Sequence, residues 1–229
     1  MISKALIYIS SENQNRETSM CSIIQDDSLV LFQGDSITDA GRSREDDSVL
    51  GTGYAGMAAA WFSALYPEKR VKFINRGISG NRVKDLKARW KEDCLDLEPA
   101  WVSIFIGVND TWRRYDSNDA TSTEDYENAY RNILKQITTH LDAGIIICEP
   151  FVLPVPEDRV QWRLDLDPKI DAARRLAREF EAIYVPLDGI FASAATQREP
   201  AFWAADGVHP SLAGHALIAQ SWLRAVKAM

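Results

Sequence analysis

Five short apolar runs, at residues 28–33, 71–75, 101–106, 144–149 and 183–186, recur along this chain with amphipathic stretches between them. Most are continuous, without polar alternation, and read as strands covered on both faces. Between them, 53–65 carries small and aromatic residues suited to close packing, and 82–94 puts Val83, Leu86 and Trp90 on one face. In 124–141, Tyr126, Tyr130, Ile133, Leu134 and Ile137 recur at helical spacing. The stretch 168–182 is expected to begin with Pro168 in its first turn, and 211–227 with the capping-type Ser211. Parallel strands need crossover helices, so this alternation predicts an α/β fold: a five-stranded, mainly parallel sheet with helices on both faces. Ligands bind such sheets outside the carboxyl ends of the strands. Residues that do chemistry should therefore follow strands.

The 229 residues suffice for one sizeable core. Residues 10–20 are polar and aperiodic, so 1–27 reads as an N-terminal extension and 28–229 as a single domain. Met20 is a candidate alternative start that would cost none of the motifs below. A net charge of −7 opposes binding to nucleic acid or to an anionic membrane. No run approaches the ~18 apolar residues of a membrane helix. The apolar stretch 5–9 is shorter than the roughly 7–15 residues of a signal-peptide core. Three cysteines, Cys21, Cys94 and Cys148, are too few and too odd in number for a disulfide framework. They fit a reducing compartment, and a cytoplasmic protein is expected. Cys148, in an isoleucine run, is expected to be a buried thiol.

Four segments sit where a parallel sheet would gather them. The first strand runs into Gly34-Asp35-Ser36-Ile37-Thr38-Asp39, the second into Asn75-Arg76-Gly77-Ile78-Ser79-Gly80-Asn81, and the third into Gly107-Val108-Asn109-Asp110. Asp206-Gly207-Val208-His209-Pro210 precedes the last helix. These residue types suit acyl transfer. A serine hydroxyl is a poor nucleophile until a base takes its proton. His209 can act as that base for Ser36, and Asp206 can orient its ring. Negative charge developing on the attacked carbonyl needs donors aimed at it. The Ser36 N–H, the Gly80 N–H and the Asn109 side chain are candidates.

Together these blocks resemble the four signature blocks of the SGNH (GDSL-type) hydrolases, from about Leu29 to the C-terminus. The resemblance implies a flavodoxin-like α/β/α sandwich. It also implies a Ser36–His209–Asp206 triad and an oxyanion hole of Ser36, Gly80 and Asn109. Ile37 departs from the leucine of the family name-motif, a conservative change. Further matches, Leu50-Gly51-Thr52-Gly53-Tyr54, Asp85-Leu86-Lys87-Ala88-Arg89-Trp90 and Trp112-Arg113, are similar to the intracellular acetylxylan esterase branch. They imply a short-chain acyl ester substrate, in particular an acetylated xylo-oligosaccharide or related carbohydrate. Relatives in that branch assemble, which implies a homo-oligomer.

Other residues admit simpler roles. Trp61, Trp90, Trp101 and Trp222 fall in helix or strand patterns and are expected in the core. Trp112 and Trp203 flank the blocks, where an aromatic could stack on a sugar; Trp162 is a weaker candidate. Asp39 and Asp110 are expected to brace the loops holding Ser36 and Asn109. Arg42 and Arg113 are expected to form surface pairs, His215 to be structural, and His140 to complement a helix end. No Cys/His spacing predicts a metal site, and no Gly-Lys-Ser/Thr follows Gly53 to make a phosphate loop. No cofactor is called for.

Two other functions remain open. The same triad could serve a lysophospholipase or thioesterase, although the polar stretch 116–123 offers no apolar lid. Alternatively, the chain is a non-catalytic ligand-binding module holding a phosphate at residues 34–39.

Overall fold

A computed structural model describes residues 22–229. Met20, Cys21 and the apolar stretch 5–9 lie outside the described residues. Five strands form one sheet: β1 (Leu29–Gly34), β2 (Lys72–Asn75), β3 (Trp101–Phe105), β4 (Gly144–Cys148) and β5 (Ile183–Val185). Their order is β2-β1-β3-β4-β5, and every pairing is parallel. This is the flavodoxin-like order, whose direction of winding reverses between β1 and β3.

Among the described residues, ten α-helical segments accompany the sheet: α1 (Ser36–Asp39), α2 (Tyr54–Leu65), α3 (Val83–Ala88), α4 (Trp90–Asp93), α5 (Val108–Asp116), α6 (Thr123–His140), α7 (Arg163–Glu179), α8 (Leu187–Ala195), α9 (Pro200–Trp203) and α10 (Leu212–Ala225). Alternate residues of the strands feed two cores. Val30, Phe32, Ile146 and Cys148 pack on one face with α2, α8 and α10. Leu31, Val102, Ile104, Ile145 and Ile147 pack on the other with α3, α6 and the second half of α7. Apolar side chains on both faces are the reason these strands lack polar alternation.

Three expectations are corrected. The stretch 82–94 is two short helices, because the ladder breaks at Arg89, whose guanidinium turns inward to Asn81, Asp93 and the Gly34 carbonyl. α7 begins at Arg163, so Pro168 lies inside it. A 3₁₀ turn, Glu157–Trp162, runs directly into that helix, and Pro168 forgoes the one bond its N–H would give. Trp61 is 54% exposed, because the inward face of α2 is carried by Ala58 and Phe62.

The other expected core tryptophans fare better. Trp90 and Trp222 are buried, and Trp101 packs against the core at its edge. Cys94 and Cys148 are buried free thiols. Of the expected extension, residues 22–27 are described. Ile24 is in the core, and the Ser22 hydroxyl donates to the Val226 carbonyl at 3.2 Å.

Candidate active site

β1 delivers Ser36 to the carboxyl edge of the sheet. Its last residue is Gly34, and Asp35 turns the chain into α1 by accepting the Ile37 N–H at 3.0 Å. Ser36 is therefore the first residue of a helix, where an N–H has no acceptor within the helix. Asp35 is buried, and burial pushes its carboxyl up to about 7, against the Ile37 hydrogen bond and the pull of His209.

The loop before α10 brings the other two residues of the expected triad. His209 Nε2 lies 2.9 Å from Ser36 Oγ, and His209 Nδ1 lies 2.6 Å from Asp206 Oδ2. Asp206 Oδ1 accepts the Val208 N–H at 2.9 Å and the His209 N–H at 2.7 Å. Burial acts to raise the Asp206 carboxyl, but these hydrogen bonds outweigh it and hold the group well below the usual carboxylate range. The hydrogen bond to Asp206 raises His209 above its ordinary value, against partial burial and with help from the charges of Asp206 and Asp35. A ring fixed by a carboxylate on one nitrogen and facing a hydroxyl with the other can move a proton from that hydroxyl.

The expected oxyanion donors converge on the same edge. The segment 77–81 is tied to the end of β1, because the Ile78 N–H donates to the Gly34 carbonyl at 3.1 Å. It is tied to α1 by Asp39, whose Oδ2 accepts the Ser79 N–H at 3.1 Å and the Ser79 hydroxyl at 3.0 Å. It is tied to α5 by Asn109 Nδ2, which donates to the Asn81 carbonyl at 3.1 Å. Gly80 adopts φ +82, and a Cβ there would meet nothing within 4 Å. Glycine is required at this position by conformation, not by space. Among the described residues, no acceptor takes the Gly80 N–H.

Asp39 and Asp110 brace these loops. Asp39 also pairs with Arg44 at 2.6 Å. Asp110 Oδ2 accepts the Val83 N–H at 3.2 Å, while its buried Oδ1 has no partner among the described residues. Burial pushes the Asp110 carboxyl up to about 7.

The three tryptophans separate. The Trp112 ring lies 5.7 Å from the His209 ring, so it walls the site. Trp203 donates its Nε1–H to the Ala194 carbonyl at 3.2 Å and packs edge-on against Phe202, tying α9 to α8. Trp162 is buried under Arg159 and Tyr115 and anchors its segment. Arg42 turns inward to the Gly77 and Ser43 carbonyls, correcting the expected surface pair, whereas Arg113 pairs with Asp116. His140 ends α6, and His215 accepts the Tyr54 N–H. Among the described residues, no group of three or more His, Cys, Asp or Glu side chains is arranged to hold a metal ion, and no helix is long and apolar enough to cross a membrane.

A model of the GDSL-like lipase/acylhydrolase family matches residues 32–217. The chain belongs to that family. This GDSL hydrolase is 38% identical over 205 residues to an acetylxylan esterase of Geobacillus stearothermophilus, covering 86% of this chain and 93% of the relative. Among solved structures, a putative GDSL-like lipase from Parabacteroides merdae superposes with a TM-score of 0.87 at 37% identity, over 90% of this chain and 98% of that one. Axe2, an acetylxylan esterase from Geobacillus stearothermophilus, superposes with a TM-score of 0.82 at 36% identity, over 89% of this chain and 95% of that one. Two further Axe2 structures are of variants described as catalytic mutants, one changed at a serine and one at a histidine. The GDSL hydrolase described here is accordingly a carboxylic ester hydrolase with the α/β sheet of its relatives.

Sequence reasoning missed Arg159 in this enzyme. Its guanidinium lies 4.1 Å from the Trp162 ring centre and 5.3 Å from that of Trp112, and its Nε donates to the Asp206 carbonyl at 3.2 Å. No local pattern around position 159 signals contacts that reach 47 residues away.

Proposed function

We propose that this GDSL hydrolase removes acetyl groups from xylo-oligosaccharides or related carbohydrates through a covalent acyl group on Ser36. The observation that carries the reading is the unbroken path from Ser36 Oγ through the His209 ring to Asp206, with contacts of 2.9 and 2.6 Å. His209 Nε2 takes the Ser36 proton as Oγ attacks the ester carbonyl. The resulting oxyanion is met by the Ser36 and Gly80 N–H groups and by Asn109 Nδ2. The tetrahedral species collapses, the sugar oxygen leaves with the proton held on His209, and Ser36 keeps the acetyl group. Water then repeats the sequence: His209 takes its proton, acetate leaves, and Ser36 Oγ regains the proton. Asp206 stays ionised and steadies the imidazolium.

The carbohydrate assignment draws on the acetylxylan esterase relatives. The Trp112 ring beside His209 offers a sugar an aromatic face. The exposed, polar residues Ser117, Asn118 and Asp119 after α5 favour a short acyl group over a lipid chain. The buried free thiols of Cys94 and Cys148 suit a cytoplasmic setting. The exposed pair Trp61 and Leu65 on α2 supports a homo-oligomer, which light scattering would detect.

The test is acetate release from acetylated xylo-oligosaccharides beside fatty-acid release from a lysophospholipid, with wild type and Ser36→Ala. Acetate release that is lost in the variant supports the reading. Preferential cleavage of the lysophospholipid would assign the site to lipids instead.

A further inference from the structure

A strap of chain, residues 153–159, supports the Asp206–His209 loop from behind. The Leu153 N–H donates to the Gly207 carbonyl at 2.8 Å, and Arg159 Nε donates to the Asp206 carbonyl at 3.2 Å. Gly207 adopts φ +80, and a Cβ there would stand 2.3 Å from the Val155 carbonyl oxygen and 2.6 Å from that of Leu153. Strap and loop thus meet backbone to backbone, with no side chain as a spacer. Arg159 does more than hold the Asp206 carbonyl. Its guanidinium is stacked near Trp162 at 4.1 Å and reaches Trp112 at 5.3 Å. Trp162 is buried and stacked on Tyr115 with 9° between the planes, so it forms a fixed floor. Trp112 is the ring that packs beside His209.

We propose that Arg159 is a positioning residue for acyl transfer, one guanidinium that fixes both the Asp206 backbone and the tryptophan beside His209. The inference rests on the reading of Ser36, His209 and Asp206 as the reacting groups. Such a tie is needed because the side chains of His209 and Asp206 are 45% and 41% exposed, so burial alone does not hold them. A cavity of about 370 Å³ is lined by Leu153, Val160, Ala192 and Arg159 itself, so the Arg159 side chain is not packed on every side. A planar guanidinium can stack on indole and aim one N–H at a carbonyl at the same time. A lysine ammonium has no face to stack and only a point of charge. The charges that raise the proton affinity of His209 are those of Asp206 and Asp35, and His215 is the other titrating neighbour. Arg159 therefore acts on His209 through geometry.

The test compares Arg159→Lys, Arg159→Gln and Trp162→Phe with wild type. The readouts are kcat and KM for an acetyl ester across pH, sites counted by titration with a fluorophosphonate, and melting temperature. Arg159→Lys keeps the charge, so a moved pH profile reports geometry. The expected result for both Arg159 variants is a fall in kcat per titrated site on the order of 10²-fold, the cost of an ångström's misplacement, with KM little changed. The acid limb of the profile should move down towards 6.5 as the Asp206–His209 contact loosens, and in Trp162→Phe it should move the same way. Three results would overturn the proposal. In the first, kcat per site and the acid limb are unchanged. In the second, only the number of titratable sites falls, which marks a structural role. In the third, KM rises with kcat preserved, which marks a substrate contact. Wild type that gains no adduct at all would instead defeat the Ser36 reading, whatever the variants do.

Discussion

The side-chain amide of Asn109 donates to the carbonyl oxygen of Asn81 at 3.1 Å, so the proposed side-chain oxyanion donor is fastened to the loop carrying the backbone donor Gly80. The next residue, Asp110, takes the Val83 N–H at 3.2 Å. Two consecutive residues at the start of α5 therefore grip the segment 81–83. Donors held this way before substrate arrives need no reorganisation when charge develops.

Asn109→Ala should lower kcat on an acetyl ester by about 10²–10³, and the melting temperature should also fall, because the tie to the Asn81 carbonyl is lost. Steady-state kinetics on the purified variant check this. Near-normal turnover would remove Asn109 from the oxyanion hole.

The proton balance of His209 fixes the pH dependence. Its folded value is raised above 6.5, and only the neutral ring can accept the Ser36 proton, so kcat/KM should rise with pH through a midpoint above 6.5. Asp206→Asn removes the charge behind that rise and leaves only a neutral amide to hydrogen-bond the ring, which can hold it in the wrong tautomer. The residual acid limb should drop towards 6.5 and turnover should fall by about 10⁴. The stability contribution runs the other way: it is fully present below 6.5 and is lost as pH rises through the folded value. A wild-type acid limb at or below 6.5 would contradict the account.

His215 serves α2 rather than the chemistry. Gly53 precedes that helix and has no side chain to cap it, and His215 Nδ1, supplied by α10, accepts the Tyr54 N–H at 3.1 Å. The ring must be neutral to accept, and burial lowers its value from 6.5 to about 4. Its contribution is therefore present above 6.5 and is lost as pH falls from there through about 4. His215→Ala should cost about 0.5–2 kcal/mol by urea unfolding near neutral pH, the usual range for a lost cap. The difference should shrink when the measurement is repeated at about pH 5. Equal differences at both pH values would contradict the cap.

Much of this was legible in the chain itself. The five strands stood out because both faces are covered, leaving runs such as Ile145-Ile146-Ile147-Cys148 without a polar break. Ser36, Gly80 and Asn109 stood out because they follow strands, and Asp206 and His209 because they precede a capped helix. What escaped has no local signature. α5 opens with Gly107-Val108-Asn109-Asp110, which reads as a turn, and its helix is set by tertiary contacts of Asn109 and Asp110. Pro168 normally marks a first turn, yet the 3₁₀ segment ahead of Arg163 starts the helix early. Trp61 points outward because Tyr54, Ala55, Ala58 and Phe62 already fill the inner face of α2. Arg159 matters through the Trp112 ring and the Asp206 carbonyl, which come from two other parts of the chain, as well as through Trp162 in its own turn.

The most direct measurement is the mass of the folded enzyme after treatment with a fluorophosphonate, followed by peptide mapping. One adduct is expected, on Ser36, absent from Ser36→Ala and from protein denatured before treatment. No adduct on folded wild type, or full esterase turnover in Ser36→Ala, would contradict it.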